Sequence, residues 1–272
     1  AEWREPGEEA RQGEVLLPAG TPVTPAVIGL AASCGYDTLR VRPPQRAALL
    51  VFGDELLDQG LPGKGRVRDA LGPAVPGWLR RLGAAVTHQV GPVPDTFAAH
   101  LDALGRAVAS QPGLICTTGG TMLGPVDHLH PVLERLGAEY VVNRVAVRPG
   151  FPMLLARVRD TFVAGLPGNP QSAVVALTTL VAPLLAGLRG RPAPVTRQVT
   201  LGDSVSWGGG FTRLVLVRLA GGTAYPVKHV GPAMLRGVAQ AEGFVVIRPG
   251  SNGQPGDRVP LVPLPLMEGE RP

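Results

Sequence analysis

At 272 residues and 44% hydrophobic composition, the chain exceeds a usual single-core domain and has enough apolar material for two globular units and a short attachment. Its 26 Lys and Arg outnumber 21 Asp and Glu for a formal charge of +5, but they are scattered arginines without a polybasic run or interleaved aromatics. That pattern argues against nucleic acid as a partner and for a solvated surface carrying a local anion site.

With 37 Gly, 29 Pro and 4% aromatic residues, a turn-rich architecture is expected. No apolar run is read as reaching the roughly 18 residues that span a bilayer, and no signal peptide opens the chain, so no membrane association is expected. Cys34 and Cys116 stand far apart in apolar contexts, without a CxxC pair, and are read as two buried, reduced thiols of a cytoplasmic protein. His128 and His130 are too close together for tetrahedral zinc. The start on Ala1 instead of Met reads as processing or as a piece of something longer.

Residues 1–45 read as an attachment, the remnant of an upstream domain. Gly13 to Pro18 (GEVLLP) predicts a short strand. Thr24 and Pro25 offer an N-cap and a first-turn proline for a helix through Ile28 and Ala32 that Gly35 stops. One helix and a little strand cannot enclose a core, so this piece must pack on something else.

Residues 46–190 alternate strand and helix. Ala47 to Phe52 is a continuous apolar run, as in a strand buried on both faces. A helix beginning near Pro73 places Val75, Trp78, Leu79 and Leu82 on one face and ends at Gly83. Strand Ala85 to Val90 follows, and Asp95 is read as the cap of a helix whose apolar face is Phe97, Leu101, Leu104 and Val108. Gly113 to Thr117 is the next strand, and Leu129, Val132, Leu133 and Leu136 mark the next helix. A hairpin, Met153 to Val158 with Thr161 to Ala164, leads to a long apolar helix capped by Asn169 and Pro170 and bent at Pro183. Repeated β-α units predict a doubly wound α/β fold with a mostly parallel sheet. Residues 191–272 change to period two, with strands at Phe211 to Arg218 and Phe244 to Arg248 and a short helix around Ala233 to Ala239, and read as a separate small β-rich domain.

In such sheets ligands bind beyond the carboxyl ends of the strands. The polar and Gly-rich segments fall there: Gly53-Asp54-Glu55, Asp95, Thr117-Thr118-Gly119-Gly120 with Asp127, and Pro167-Gly168-Asn169-Pro170. Glycines let backbone approach an anion and helix starts favour negative charge, so the stretch TTGGTMLGPVD suggests an oxyanion cradle, with Asp127 binding a metal ion or handling a proton. Taken singly, Glu55 and Asp95 also read as helix starts, Asp127 as a helix cap, and Arg144 and Arg148 as solvated strand ends. Neither GxGxxG nor GxxxxGK[ST] is present, which argues against a dinucleotide fold or a nucleotide triphosphatase.

The ordered segments RAALLVFGDEL (46–56), GRVRD (65–69), GLICTTGGTMLGPVD (113–127), RVAVRPGFP (144–152), VAGLPGNPQSAVVAL (163–177) and FTRLVLV (211–217) resemble the molybdopterin molybdotransferases of the MoeA type, related to the E domain of gephyrin. The resemblance implies a molybdopterin-binding α/β fold with a β-rich domain behind it, lacking the family's N-terminal domains. It implies insertion of molybdate into adenylylated molybdopterin with release of AMP, assisted by Mg2+ or another divalent cation, in a homodimer. Glu55, Asp95 and Asp127 would be the acidic catalytic residues, with Glu55 and Asp127 at the metal. Gly53, Asp54, Asp69, Thr117, Thr118, Gly119, Gly120, Pro167, Gly168, Asn169, Pro170 and Ser172 would line the pterin site, and Arg144, Arg148, Pro149 and Arg213 the molybdate pocket.

The chain departs from the family pattern. Met122 stands where a serine is usual, Pro125 replaces an acidic residue, and Phe151 replaces the second lysine of KPGKP. These departures leave room for a non-catalytic molybdopterin- or oxyanion-binding or scaffold relative. Adenylyl transfer to molybdopterin is a further alternative, although stand-alone domains of that activity lack a C-terminal β-rich domain.

Overall fold

The computed structural model describes residues 5–265. GEVLLP does not form the expected strand: Val15 is exposed, and among the described residues the segment has no strand paired with it to satisfy its backbone. Helix α1 (Pro25–Ser33) does form, with Thr24 Oγ1 accepting the Val27 N–H at 3.3 Å and Gly35 at φ +81° just beyond its end. None of its residues is buried. The expectation of two buried thiols is therefore half wrong: Cys34, at the end of this coreless helix, is exposed, whereas burial pushes the Cys116 thiol up to about 12.

The α/β unit begins with β1 (Gln45–Phe52), whose residues from Ala47 onward are all buried. Its alternate side chains divide between two cores: Ala47, Leu49 and Val51 face one, Ala48, Leu50 and Phe52 the other. After β1, the short strands β2 (Leu56–Leu57) and β3 (Val67–Arg68) pair in parallel and tie down the intervening loop. Helix α2 (Leu71–Arg81) starts two residues before Pro73, because the Asp69 carboxylate accepts the Leu71 and Gly72 N–H groups at 2.9 Å each.

Next come β4 (Ala84–Val93) and α3 (Phe97–Ala109). Thr96, not Asp95, caps α3, accepting the Ala99 N–H at 3.2 Å. The buried face of α3 is also rotated from the expected one, with His100, Leu104, Ala107 and Val108 inside and Phe97 38% exposed.

β5 (Leu114–Thr118), α4 (Leu129–Arg135), β6 (Glu139–Asn143), β7 (Val147–Arg148), β8 (Leu154–Val158) and β9 (Thr161–Leu166) follow. The first sheet has the order β4-β1-β5-β9-β8-β6. Its first four strands are parallel, and the expected β8–β9 hairpin makes the far edge antiparallel.

Helix α5 (Pro170–Ala176) runs into a π-helical stretch, Leu177–Val181, and then α6 (Ala182–Leu188). Pro183 has no N–H to donate, and the hydrogen-bond ladder widens in the turn before it. Thr178 and Thr179 hydroxyls bond back to Val174 and Val175 carbonyls there. Contrary to the sequence reading, Pro170–Leu188 is long and apolar enough to cross a membrane by length and composition. With 61% of it buried in the fold, it packs as a core helix.

The C-terminal strands are β10 (Arg197–Leu201), β11 (Thr212–Ala220), β12 (Thr223–Pro226), β13 (Gly243–Ile247) and β14 (Arg258–Pro263), with α7 (Arg236–Gln240) between β12 and β13. Pairing in the order β12-β10-β14-β13-β11, with β11 also paired to β12, closes a five-stranded barrel. β7, from within residues 46–190, adds to this barrel by pairing in parallel with β11. The two units also share a core, in which Leu214, Leu216, Phe244 and Leu264 join Val174, Leu177, Val181 and Leu185.

Gly165 sits in a tightly packed layer of the α/β unit: a Cβ there would lie 2.8 Å from Leu154 Cγ and 2.9 Å from Leu129 Cδ2. Gly165→Ala is expected to destabilise the protein by about 1–3 kcal/mol through overpacking. Urea unfolding should show this as a lower midpoint at unchanged slope; a midpoint equal to the parent's would mean the layer yields freely.

Candidate functional site

Four loops leave the carboxyl ends of the adjacent parallel strands β4, β1, β5 and β9 and meet at one edge of the sheet. Gly53, at φ +144°, turns the chain after β1, donating its N–H to Val93 O at 3.2 Å. Glu55 folds back over it, its Oε2 2.7 Å from where a Cβ on Gly53 would lie. Asp54 and Glu55 are exposed. Asp69, placed by sequence in the pterin site, caps α2 as described above.

The Asp54 N–H donates to Asp95 Oδ2 at 3.1 Å, which joins the loops after β1 and β4. Asp95 is thus a clamp between loops and not the start of a helix.

Thr117 and Thr118, which end β5, are buried, and Gly119 and Gly120 beyond them take φ of +83° and +68°. The Gly119 N–H donates to Leu166 O at 3.0 Å, and a Cβ on Gly168 would lie 3.6 Å from Gly119 Cα. The TTGG turn therefore rests directly on the GLPGNP turn.

Asp127 is not the cap of α4. Its Oδ1 accepts the Met122 N–H at 3.2 Å and its Oδ2 the Gly124 N–H at 3.0 Å, closing its own loop, while His128 occupies the cap position. The N–H groups of Gly119, Met122 and Gly124 are thus already bonded within the protein, which narrows the expected oxyanion cradle. Asn169 sits at the α5 cap position without a side-chain cap bond, and Ser172 is buried inside α5. Beside them the C-terminal unit closes in: Gln171 N–H donates to Pro232 O at 2.9 Å, and Gly231 N–H to Gln171 Oε1 at 3.1 Å.

The arginines expected at a basic pocket gather around aromatic rings. Arg148 on β7 and Arg213 on β11 are registered partners across the two strands. The Arg148 guanidinium lies 5.4 Å from the Phe151 ring centroid and 5.1 Å from that of Phe211, and the two rings stack at 5.2 Å. Arg144, at φ +65°, stands 6.0 Å from Phe151, and Arg213 packs 5.1 Å from Trp207. Burial pulls the Arg213 guanidinium below its ordinary value, though it stays charged.

Phe151, which on sequence removes a cation, is the platform under one. Gly150, after Pro149, packs against α5, a Cβ there falling 3.1 Å from Val175 Cγ1. Helix α5 thus links the arginines to the glycine turns.

Sequence reasoning missed a group beneath the TTGG turn. His100 is fully buried, stacks on Phe52 at 3.8 Å and places Nε2 3.4 Å from Asp95 Oδ1; His128 meets it edge-on at 5.5 Å. Burial pulls the His100 imidazole below its ordinary value, opposed by Asp95 and reinforced by His128. The available signal was position: His100 lies one turn before Leu104, on the inward stripe of α3.

Among the described residues no cluster of three or more His, Cys, Asp or Glu could hold a metal ion. Glu55 and Asp127 alone are too few for a protein cage and suit a hard cation only where a ligand's oxygens complete its shell.

A family model described as a probable molybdopterin binding domain matches residues 48–187, just over half of the chain. The chain belongs to this family. A second model, the MoeA C-terminal region (domain IV), matches residues 198–264.

Among curated relatives, the molybdopterin molybdenumtransferase of Bacillus subtilis is 31% identical over 265 residues, covering 95% of this chain and 61% of the relative. That of Haemophilus influenzae is 35% identical over 188 residues, covering 68% and 45%. The chain spans about three fifths or less of the length of these relatives. The molybdopterin biosynthesis moeA protein of Pyrococcus horikoshii OT3 superposes with a TM-score of 0.76 at 19% identity, over 94% of this chain and 63% of that one. A Pyrococcus furiosus molybdenum cofactor biosynthesis protein gives 0.69 at 19% identity, over 94% and 81%. These likenesses show the fold.

The two bonds made by Asp127 bear on its substitution. Asp127→Asn leaves one acceptor for two N–H groups and turns an NH2 toward the other, so a loss of about 0.5–1.5 kcal/mol is expected. Chemical denaturation reads this directly; unchanged stability would mean that the loop holds without the carboxylate.

Proposed function

We propose that this chain carries the molybdopterin and oxyanion sites of a molybdenum-inserting transferase, which inserts molybdate into adenylylated molybdopterin and releases AMP. The observation that carries this reading is the set Arg144, Arg148 and Arg213, which form no ion pair among the described residues and are joined through α5 to the two glycine turns. Fixed guanidinium groups on aromatic faces suit a dianionic oxyanion, which takes several N–H donors at once. The glycine turns suit the pterin's phosphate, since backbone there is bare of Cβ atoms. Asp95, whose Oδ2 accepts the Asp54 N–H, and Glu55 would exchange protons with the bound substrates.

A divalent cation such as Mg2+, held by Glu55 and Asp127 with phosphate oxygens of the substrate, would neutralise phosphate charge. A cytoplasmic setting accords with a buried, reduced Cys116. Met122 and Pro125 favour a second reading, binding without turnover, because one lacks a hydroxyl and the other an N–H and a carboxylate.

Molybdate or tungstate is expected to raise the melting temperature of the chain, as any native-state ligand must. Arg148→Ala should abolish the shift, and Phe151→Ala should weaken it by removing the platform. No calorimetric binding at millimolar oxyanion would sink the proposal. With molybdate bound, AMP release from adenylylated molybdopterin by the chain joined to the family's N-terminal domains separates the two readings: its presence marks a transferase and its absence a binding relative.

The exposed Ile28 of α1, together with the exposed Val23 and Val41 of the same N-terminal segment, is proposed to contribute to a homodimer contact. Sedimentation should find a dimer at about tens of micromolar, a range reached by an interface of ordinary size. A monomer throughout that range would remove the proposal.

A further inference from the structure

The other buried residues of α3 are Leu104, Ala107 and Val108, so hydrophobic filling does not account for an imidazole at position 100. Neither His100 ring nitrogen makes a hydrogen bond within the described protein, and burying such a group costs stability that a leucine or phenylalanine there would not. The ring instead lies against the end of β1 and near the loops after β4 and β5. It stacks on Phe52 at the end of β1, and Cε1 lies 3.6 Å from where a Cβ on Gly120 would sit in the turn after β5. Nε2 faces Asp95 Oδ1 in the loop after β4 at 3.4 Å. His128 closes the remaining side, its Nε2 3.2 Å from the Asp95 carbonyl oxygen.

We propose that His100 is the positioning residue for Asp95: its Nε2–H is aimed at Oδ1, to which it donates as the loops close, while Oδ2 accepts the Asp54 N–H, so one buried ring sets the carboxylate and, through it, the loop carrying Glu55.

A separation of 3.4 Å is long for a formed hydrogen bond, and such contacts in free sites tighten when a ligand draws the loops together. The neutral imidazole carries one N–H, and the nearby carboxylate selects the tautomer with its proton on Nε2. The groups facing the ring are Asp95, Asp54 and His128, so a cationic His100 is favoured by the two carboxylates and opposed by burial and by His128. The role assigned to His100 rests on the proposed function only for its effect on turnover.

The test begins with the 15N imidazole spectrum of the chain, in which His100 is expected as the Nε2–H tautomer and is expected to lose that preference in Asp95→Asn. A proton on Nδ1 in the parent overturns the proposal. His100→Phe keeps the stack on Phe52 and removes the donor, whereas His100→Gln supplies a donor again. Amide exchange at Asp54 should quicken about tenfold in His100→Phe and return toward the parent rate in His100→Gln. Equal exchange in parent and His100→Phe overturns the proposal, and should the Phe variant not fold, the tautomer of the parent still decides.

In molybdate-dependent AMP release, His100→Phe should lower kcat about tenfold at unchanged KM for molybdate. A parent that releases no AMP would count against the proposed function while leaving the tautomer and exchange results to judge His100.

Discussion

Two chain turns that touch without side chains between them set the geometry of this protein. Gly119 and Gly168 bring the loops after β5 and β9 to backbone contact, and Gly165 lets Leu129 and Leu154 close beneath them. A Cβ on Gly165 would push against Leu129 and Leu154 and force this layer of the core apart. Because strands β5 and β9 lie beside β1 and β4 in the sheet, the contact between the turns also fixes where Asp54, Glu55 and Asp95 stand.

The second unit completes the arrangement. β7 leaves the α/β segment to extend the barrel, which puts Arg148 next to Arg213, a residue 65 positions later. The shared core along α5 and α6 makes their separation costly, since several fully buried leucines and valines from both units would face water. The aromatic rings under Arg148 have a similar effect on a smaller scale. They hold a cation without neutralising it, so the guanidinium stays available to an anion.

The acidic residues differ in the same way from what their types alone imply. Asp69 and Asp127 satisfy backbone N–H groups close to them in sequence, and Asp95 joins two loops. A carboxylate used in this way has its direction fixed by the backbone, which suits chemistry but makes charge removal also a change of local structure. Asp127 combines both consequences in one loop.

The linear sequence determined what depends on near neighbours and on periodicity. The buried run of β1, the Thr24–Pro25 start of α1, the alternation of strand and helix and the β8–β9 hairpin all follow from side-chain spacing and turn chemistry over a few residues. The family motifs brought the glycine turns and the arginines into view for the same reason, since each is a short contiguous segment. Tertiary structure decided what depends on distant partners. A helical stripe does not say that His100 will meet Phe52 and Asp95, nor that α3 will rotate Phe97 outward to allow it. Phe151 reads as a lost charge until Phe211, 60 residues away, stacks on it beneath Arg148. Asp95 and Asp127 read as helix caps until the loops around them are closed, because a carboxylate's nearest N–H in space is set by the fold of the loop and not by its place in the chain.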